Sequence, residues 1–362
     1  MKVTRDDLIQ ATKVAKVATD GIKGTTDAHK CFQLQIKDGK LCVSACGPAQ
    51  IFAEVIIVAD DVSTWTPVLV NADIFSNLVS RIDGLDILEI TQDMEDGICK
   101  KITISGKGSK MALNTVQTDF PEKETWEESL FDGTIKCLDE TKQVMHAAGM
   151  DSTENTILQN IHMILGIDGG YKIEALDGNR ISIRRQEYDK ERNIEFLINS
   201  VLASRALKMM SGKECALKVD AHKCAFSTED MYIQCPISRQ KYPATDKMYT
   251  PSLIKTELTF DKEELISNIE LAMVYGNKQN LKVENGVCTL LSKDPNLGHM
   301  DLKPSCKVMG EDVSIKFNAL YLLDAIKSLP GEEIRIKLID SKTPIFCGDE
   351  FKMEMIAPVG NK

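Results

Sequence analysis

The 362-residue chain has few of the parts from which catalytic sites are built. It carries only five histidines, His29, His146, His162, His222 and His299, with no HExxH and no paired Cys/His spacing, so a metal hydrolase lacks its ligands. GxSxG is absent as well, which excludes a nucleophile elbow. The stretches GKGS at 106–109 and DGG at 168–170 match neither GxxxxGK[ST] nor GxGxxG and lie between strand-like runs, so they read as turns. Acidic pairs such as Asp60-Asp61 and Glu127-Glu128 have nothing in the sequence to set them apart from a solvated face. No catalytic residue, metal or cofactor is expected.

Long apolar runs are missing too. The longest, such as IFAEVIIVA at 51–59, fall far below the ~20 residues of a membrane span, and MKVTRDDLIQATK has no apolar core of a signal peptide. A soluble, cytoplasmic protein is expected. Proline and glycine are modest at 11 and 22 residues, against 43% hydrophobic and 27% charged residues, which excludes a disordered or collagen-like chain. Eleven cysteines form no CxxC, and Cys99, Cys215, Cys235, Cys288 and Cys347 sit inside apolar runs, as reduced buried thiols would. Lys and Arg number 44 against 54 Asp and Glu, so with a net charge of −10 any contact with a polyanion must be local.

What the chain does contain is a threefold repeat. The segments VNADIFSNLVSRIDG, INSVLASRALKMMSG and FNALYLLDAIKSLPG begin at Val70, Ile198 and Phe317. In each, an Asn (Asn71, Asn199, Asn318) is followed 13 positions later by a Gly (Gly84, Gly212, Gly331). Between them the third, fourth, seventh and eighth residues after the Asn are apolar or aromatic in all three copies: Ile74, Phe75, Leu78, Val79; Leu202, Ala203, Ala206, Leu207; Tyr321, Leu322, Ala325, Ile326. This is the stripe of an amphipathic helix, with Asn as N-cap and Gly as terminator. Alternating residues follow in copies two and three, at Cys215, Leu217, Val219 and at Ile334, Ile336, Leu338, as in a half-buried strand.

A second helical segment precedes each copy, entered at Leu8, Leu138 and Leu265. The leucines are 130 and 127 residues apart and the asparagines 128 and 119, so two independent markers give similar spacings. Alternating runs at 32–45, 163–176 and 280–291 read as hairpins turning at Asp38-Gly39, Asp168-Gly169-Gly170 and Asn285-Gly286. Pro-, Glu-, Thr- and Tyr-containing stretches at 119–129 and 241–252 suit connectors, giving domains 1–126, 127–250 and 251–362. The fold class is α+β, each repeat having two helices packed on antiparallel strands.

Five ordered motifs resemble one family. Ala175-Leu176-Asp177-Gly178-Asn179-Arg180-Ile181 resembles the A-T-D-G-H-R-L segment in the central domain of the β subunit of bacterial DNA polymerase III, the sliding clamp. Asp119-Phe120-Pro121 resembles that family's D-F-P, Tyr242-Pro243 its F-P, Phe317–Ala325 its N-x-x-Y-L-L-D-A helix, and Met355–Val359 its V-V-M-P-M tail. The chain departs from the pattern at Leu176 (usually Thr), Asn179 (usually His) and Lys247 (usually Arg), and ends Gly360-Asn361-Lys362 instead of Arg-Leu. Lys cannot reproduce the fork of an Arg.

The resemblance implies a head-to-tail homodimer whose six domains close a ring round double-stranded DNA without base readout, tethering the replicative polymerase, clamp loader and repair polymerases through short peptide motifs. It implies no enzyme activity, no cofactor and no membrane partner. Candidate DNA-facing residues are Lys13, Lys16, Lys23, Lys142, Arg205, Lys208 and Lys278. The six helical segments sum to zero charge, so they carry none of the chain's acidic excess. Each such lysine suits an ordinary solvated helix face equally well.

The partner-peptide site would use Leu158, Leu176, Gly178, Arg180 and Ile181, then Pro243, Lys247 and Met248, then Asn318, Tyr321, Pro344, Met355, Ile356, Ala357 and Pro358. Read without the family, MEMIAP is a short apolar core strand, although beside a connector it also suits the wall of a cleft. Met111 and Leu113 of one subunit would meet Leu271 and Met273 of the other at the dimer interface. The competing reading is a protein-binding scaffold of the same fold that does not encircle DNA.

Overall fold

The computed structural model describes residues 1–19, 26–48, 51–82, 86–106, 108–134, 138–149, 156–210 and 212–360. It is an α+β structure in which the described strand pairings are antiparallel. Two compact units are present: residues 1–138 with 201–238, and residues 139–200 with 239–362, so the expected central repeat contributes to both.

In the first unit, helices α1 (Arg5–Ala15) and α2 (Ala72–Arg81) pack on each other. Arg5 donates to the Ser80 carbonyl at 2.9 Å and Lys16 pairs with Asp73 at 3.0 Å. The stripe Leu8, Ala11, Val14 and Ala15 is buried, and α1 lies against the strands Lys40–Cys46 and Phe52–Ile57. Phe75 of α2 meets Phe32 edge-on, with ring centres 6.3 Å apart. The ladder continues from Cys31–Lys37 through Lys40–Cys46 and Phe52–Ile57 to Met231–Ser238. Asp38 and Gly39 both take positive φ, 49° and 74°, as the tight hairpin turn there requires.

In the second unit, one ladder runs through nine strands. Asn193–Asn199 pairs with Asn160–Gly166, then come Tyr171–Leu176, Arg180–Gln186, Lys352–Ile356, Ile345–Gly348, Glu333–Leu338, Thr256–Asp261 and finally Cys306–Gly310. The C-terminal strand Lys352–Ile356 therefore joins strands of the central repeat to those of the third. A second, four-stranded sheet comprises Gly298–Leu302, Val287–Asp294, Lys278–Glu284 and Val313–Asn318. Helix α5 (Lys262–Ala272) and α6 (Ala319–Ser328) pack on each other over a core that includes Phe260, Leu265, Ile269, Phe317, Leu322 and Ile326. The remaining helices are α3 (Leu138–Val144) and α4 (Ser200–Met209).

The expected caps are present at Asn71 and Asn318, whose side chains accept from Ile74 N and Leu320 N at 3.0 Å. Two details differ from expectation. The buried stripe is narrower, because the residue three past the Asn sits at its margin: Ile74 is 49% exposed, and Leu202 and Tyr321 are half-buried. The glycines do not end the helices directly, since α4 and α6 stop at Met209 and Ser328, three residues before Gly212 and Gly331. In α6, Leu329 turns extended (φ −83°, ψ 142°) because Pro330 follows and disfavours helical geometry before it. Gly84 lies outside the described residues.

Nine of the ten described cysteines are buried, Cys306 being the exception. Burial pushes the thiols up, to about 11 at Cys31 and Cys215 and about 12 at Cys235, as expected of unreactive core residues.

Candidate functional site

Most of the predicted peptide-site residues collect around the strand pair Arg180–Gln186 and Lys352–Ile356. The motif 175–181 is a hairpin corner: the Asp177 carboxylate accepts from Asn179 N at 2.9 Å and Arg180 N at 3.1 Å, and Gly178 supplies the positive φ of 92°. That turn aims Arg180 at α6. Its Nε bonds Asp177 at 3.0 Å, its NH1 bonds Asp324 at 2.6 Å, and the guanidinium lies 4.4 Å above the Tyr321 ring. Asn318 caps the same helix, so Asn318, Tyr321 and Arg180 share one region.

The register Ile181↔Met355 and Ile183↔Met353 puts four apolar side chains on one face of the strand pair. Tyr249 of the connector packs there and meets Phe346 edge-on at 5.2 Å. Next to it, Leu158, Leu176 and Ile181 cluster with Leu197 and Tyr242. A cavity of about 210 Å³ opens among Ile183, Tyr249, Pro251, Met353 and Met355, rimmed by Arg185, Asp246 and Glu350.

Met355 and Ile356 are only 2% and 0% exposed, so the tail strand is core as well as wall, and Ile356 belongs to the core beneath α6. Of the other expected residues, Pro243, Lys247 and Met248 are exposed on the connector, and Pro344, Ala357 and Pro358 are half-buried. The tail is anchored by Ala357 N to Asn179 O and Val359 N to Lys316 O, both 2.8 Å.

Sequence reasoning missed a buried charged network beneath the connector. Lys172, 4% exposed, reaches Thr245 at 3.1 Å, Glu174 at 3.1 Å and Asp246 at 2.9 Å. Glu174 also takes His162 Nδ1 at 2.7 Å, His162 Nε2 meets Glu195 at 2.9 Å, and the His162 ring lies 4.7 Å from that of Tyr242. The alternation in MILGIDGGYKIEAL identifies a hairpin but not what covers its polar side chains. All of Tyr171–Leu176 is buried, and no local pattern distinguishes a strand covered on both faces by distant segments.

The candidate DNA-facing residues are less uniform. Lys13 and Lys208 are exposed on α1 and α4, whereas Lys16 is paired with Asp73 and Lys142 with Asp139 at 3.2 Å. Arg205 is half-buried and has a partner, and Lys278 donates to the Gly360 carbonyl at 3.1 Å. Lys23 lies outside the described residues. At the expected interface, Leu271 is 49% exposed, Met273 and Met111 are half-buried, and Leu113 is 9% exposed. Leu113 is thus mainly a core residue of its own unit, because it sits opposite Ile102 in the hairpin.

Residues 248–355 match the family model of the DNA polymerase III beta subunit, C-terminal domain. A β sliding clamp of Streptococcus pneumoniae is 26% identical over 313 residues, covering 81% of this chain and 80% of its own. One from Staphylococcus aureus is 20% identical over 353 residues, covering 94% and 91%. The β subunit of DNA polymerase III from Thermotoga maritima superposes with a TM-score of 0.86 at 21% identity, covering 100% of this chain and 99% of that one. Residues 248–355 thus match the C-terminal domain of that subunit, and the chain as a whole has the fold of the β sliding clamps. A Pseudomonas aeruginosa sliding clamp bound to griselimycin also shares the fold, with a TM-score of 0.87 at 14% identity and 99% coverage of both chains. Sliding-clamp architecture is thus present along the whole chain, although fewer than a third of its residues are shared with any of these relatives. No helix among the described residues is long and apolar enough to cross a membrane.

Proposed function

We propose that this protein is a DNA sliding clamp, the non-catalytic processivity subunit of a replicative polymerase, acting in the cytoplasm as a homodimeric ring of clamp domains 1–126, 127–250 and 251–362. The observation that carries this reading is likeness to sliding clamps over essentially the full length, together with the family match of residues 248–355. Two edge strands support ring closure. Residues 109–114 pair only with the strand Ile98–Gly106, and Cys306–Gly310 only with Thr256–Asp261, among the described residues. Each leaves a row of backbone donors and acceptors for a second subunit, with Met111 on one side and Leu271 and Met273 on the other.

Such a ring holds duplex DNA by topology, with Lys13, Lys16, Lys142, Arg205, Lys208 and Lys278 supplying weak phosphate contacts. It carries its partners in the groove formed by Leu158, Leu176, Gly178, Arg180 and Ile181, connector residues Pro243, Lys247 and Met248, and Asn318, Tyr321, Pro344 and Met355–Pro358. Light scattering checks the ring: the expected mass is twice 40.2 kDa. Loading onto nicked circular DNA, with release on linearisation, checks encirclement. A monomer, or retention indifferent to linearisation, would point to the scaffold instead.

A further inference from the structure

Beneath the apolar face of the strand pair, the alternate residues Ser182, Arg184 and Glu354 point the other way and are fully buried or nearly so. They converge on one carboxylate. Glu354 Oε1 accepts from Ser182 Oγ at 2.7 Å, from Ser328 Oγ at 2.8 Å and from Arg184 NH2 at 2.8 Å, while Oε2 meets His146 Nε2 at 3.1 Å. Arg184, with no exposed surface, also bonds Gln143 Oε1 at 3.0 Å and the Ile183 and Ser328 carbonyls at 2.8 and 3.2 Å. Its charge is therefore neutralised and most of its donors are used.

These partners come from the elements that bear the candidate peptide site. Ser182 shares a strand with Arg180 and Ile181, Ser328 ends α6 with Tyr321 and Asn318, and Glu354 itself lies between Met353 and Met355. His146 and Gln143 tie in the segment around α3. A sheet register alone does not fix α6 against the strand pair. Arg180 ties the start of the strand to α6 through Asp324 and Tyr321, and the shared carboxylate ties the end of the helix, because each donor reaches it only when its element is in place.

We propose that Glu354 is a positioning residue for the peptide groove, holding the strand Arg180–Gln186, the tail strand and the end of α6 in one arrangement without touching the peptide. The inference rests on the reading of this region as a peptide site. Its test is fluorescence anisotropy with a labelled polymerase-derived peptide rich in Gln, Leu and Phe, on the full-length dimer and well below its melting transition.

Glu354→Gln keeps the shape and removes the charge, and is expected to weaken the peptide about tenfold or more. Ser328→Ala, which removes the hydroxyl's bonds to Glu354 and to Arg184 NH2 but leaves Arg184 on the Ser328 carbonyl, should weaken it less, and the two substitutions should be less than additive, since both act within one network. Faster amide exchange at 319–328 in either variant would accompany the loss. A purely structural role lowers the melting temperature yet leaves the affinity of the folded protein unchanged. That result for Glu354→Gln, or for Ser328→Ala if the first variant does not fold, overturns the inference. Failure of the unsubstituted protein to bind overturns the peptide-site reading, and this inference with it.

Discussion

The two connectors of the chain are held by different physics. The first, 119–130, is strapped by charge. Lys223 donates to Thr125 O at 3.0 Å and pairs with Asp220 at 2.9 Å, Trp126 lies about 5 Å from both Lys218 and Lys223, and Lys123 stands 3.1 Å over the ring of Tyr232. Asp220 also accepts from the backbone at His222 and Lys223. The second, 239–253, covers an apolar face with Tyr249 and Tyr242 and touches the charged network through Thr245, Asp246 and the ring of Tyr242 beside His162. The first connector is thus engaged mainly by cations set against backbone and rings. On the proposed reading of this second face as a peptide site, a cover of apolar contacts over methionines and isoleucines gives way to a peptide at small cost, since apolar contacts are not directional.

The largest effect is expected beneath the second connector. Lys172→Met leaves Glu174 and Asp246 without their cation, and removing one partner of a buried pair costs about 3–5 kcal/mol. Thermal unfolding of the variant should show the second unit melting well before the first. Coincident loss of both units would mean that the connector network is not local to its unit.

Next in size is the first strap. Burial works to raise the Asp220 carboxyl, but the backbone donors at His222 and Lys223 and the Lys223 ammonium outweigh it and bring it down to about 2. A carboxyl lower in the folded than in the unfolded state adds stability above its unfolded value, near 4, and loses it as pH falls towards 2. Asp220→Asn should therefore cost about 2 kcal/mol at neutral pH and flatten the stability–pH curve between about 4 and 2. An unchanged acid limb would show that the strap is held by Trp126 and Lys123 instead.

Much of the fold was legible in sequence because it is local. Helix caps at Asn71 and Asn318, the Asp38-Gly39 and Asn285-Gly286 turns and the apolar stripe depend on residues a few positions apart. The Asp96-Gly97 turn carries the same signal, with φ of 51° and 78°, but went unread because its flanking strands are mostly polar. The site was legible only through motifs at its surface. What lies beneath, Lys172 with Asp246 and Arg184 with Glu354, joins residues 74 and 170 apart, and nothing in local spacing announces a charge buried by tertiary pairing.

The smallest structural effect, and the most selective functional one, is expected at the helix lysines. Lys142 is tied to Asp139 while Lys208 has no carboxylate partner within ion-pair distance among the described residues, and exposed pairs contribute about 0–1 kcal/mol. Replacing Lys142 and Lys208 by Glu should hardly move the melting temperature of either unit. If both face DNA, retention on nicked circles should fall, and its dependence on salt should flatten because fewer counterions are released when the complex forms. Lys208→Glu should have the larger share, because its ammonium is not already engaged. Equal retention and an unaltered salt slope would remove both residues from the DNA-facing set and leave Lys13 as the remaining exposed candidate on the described helices.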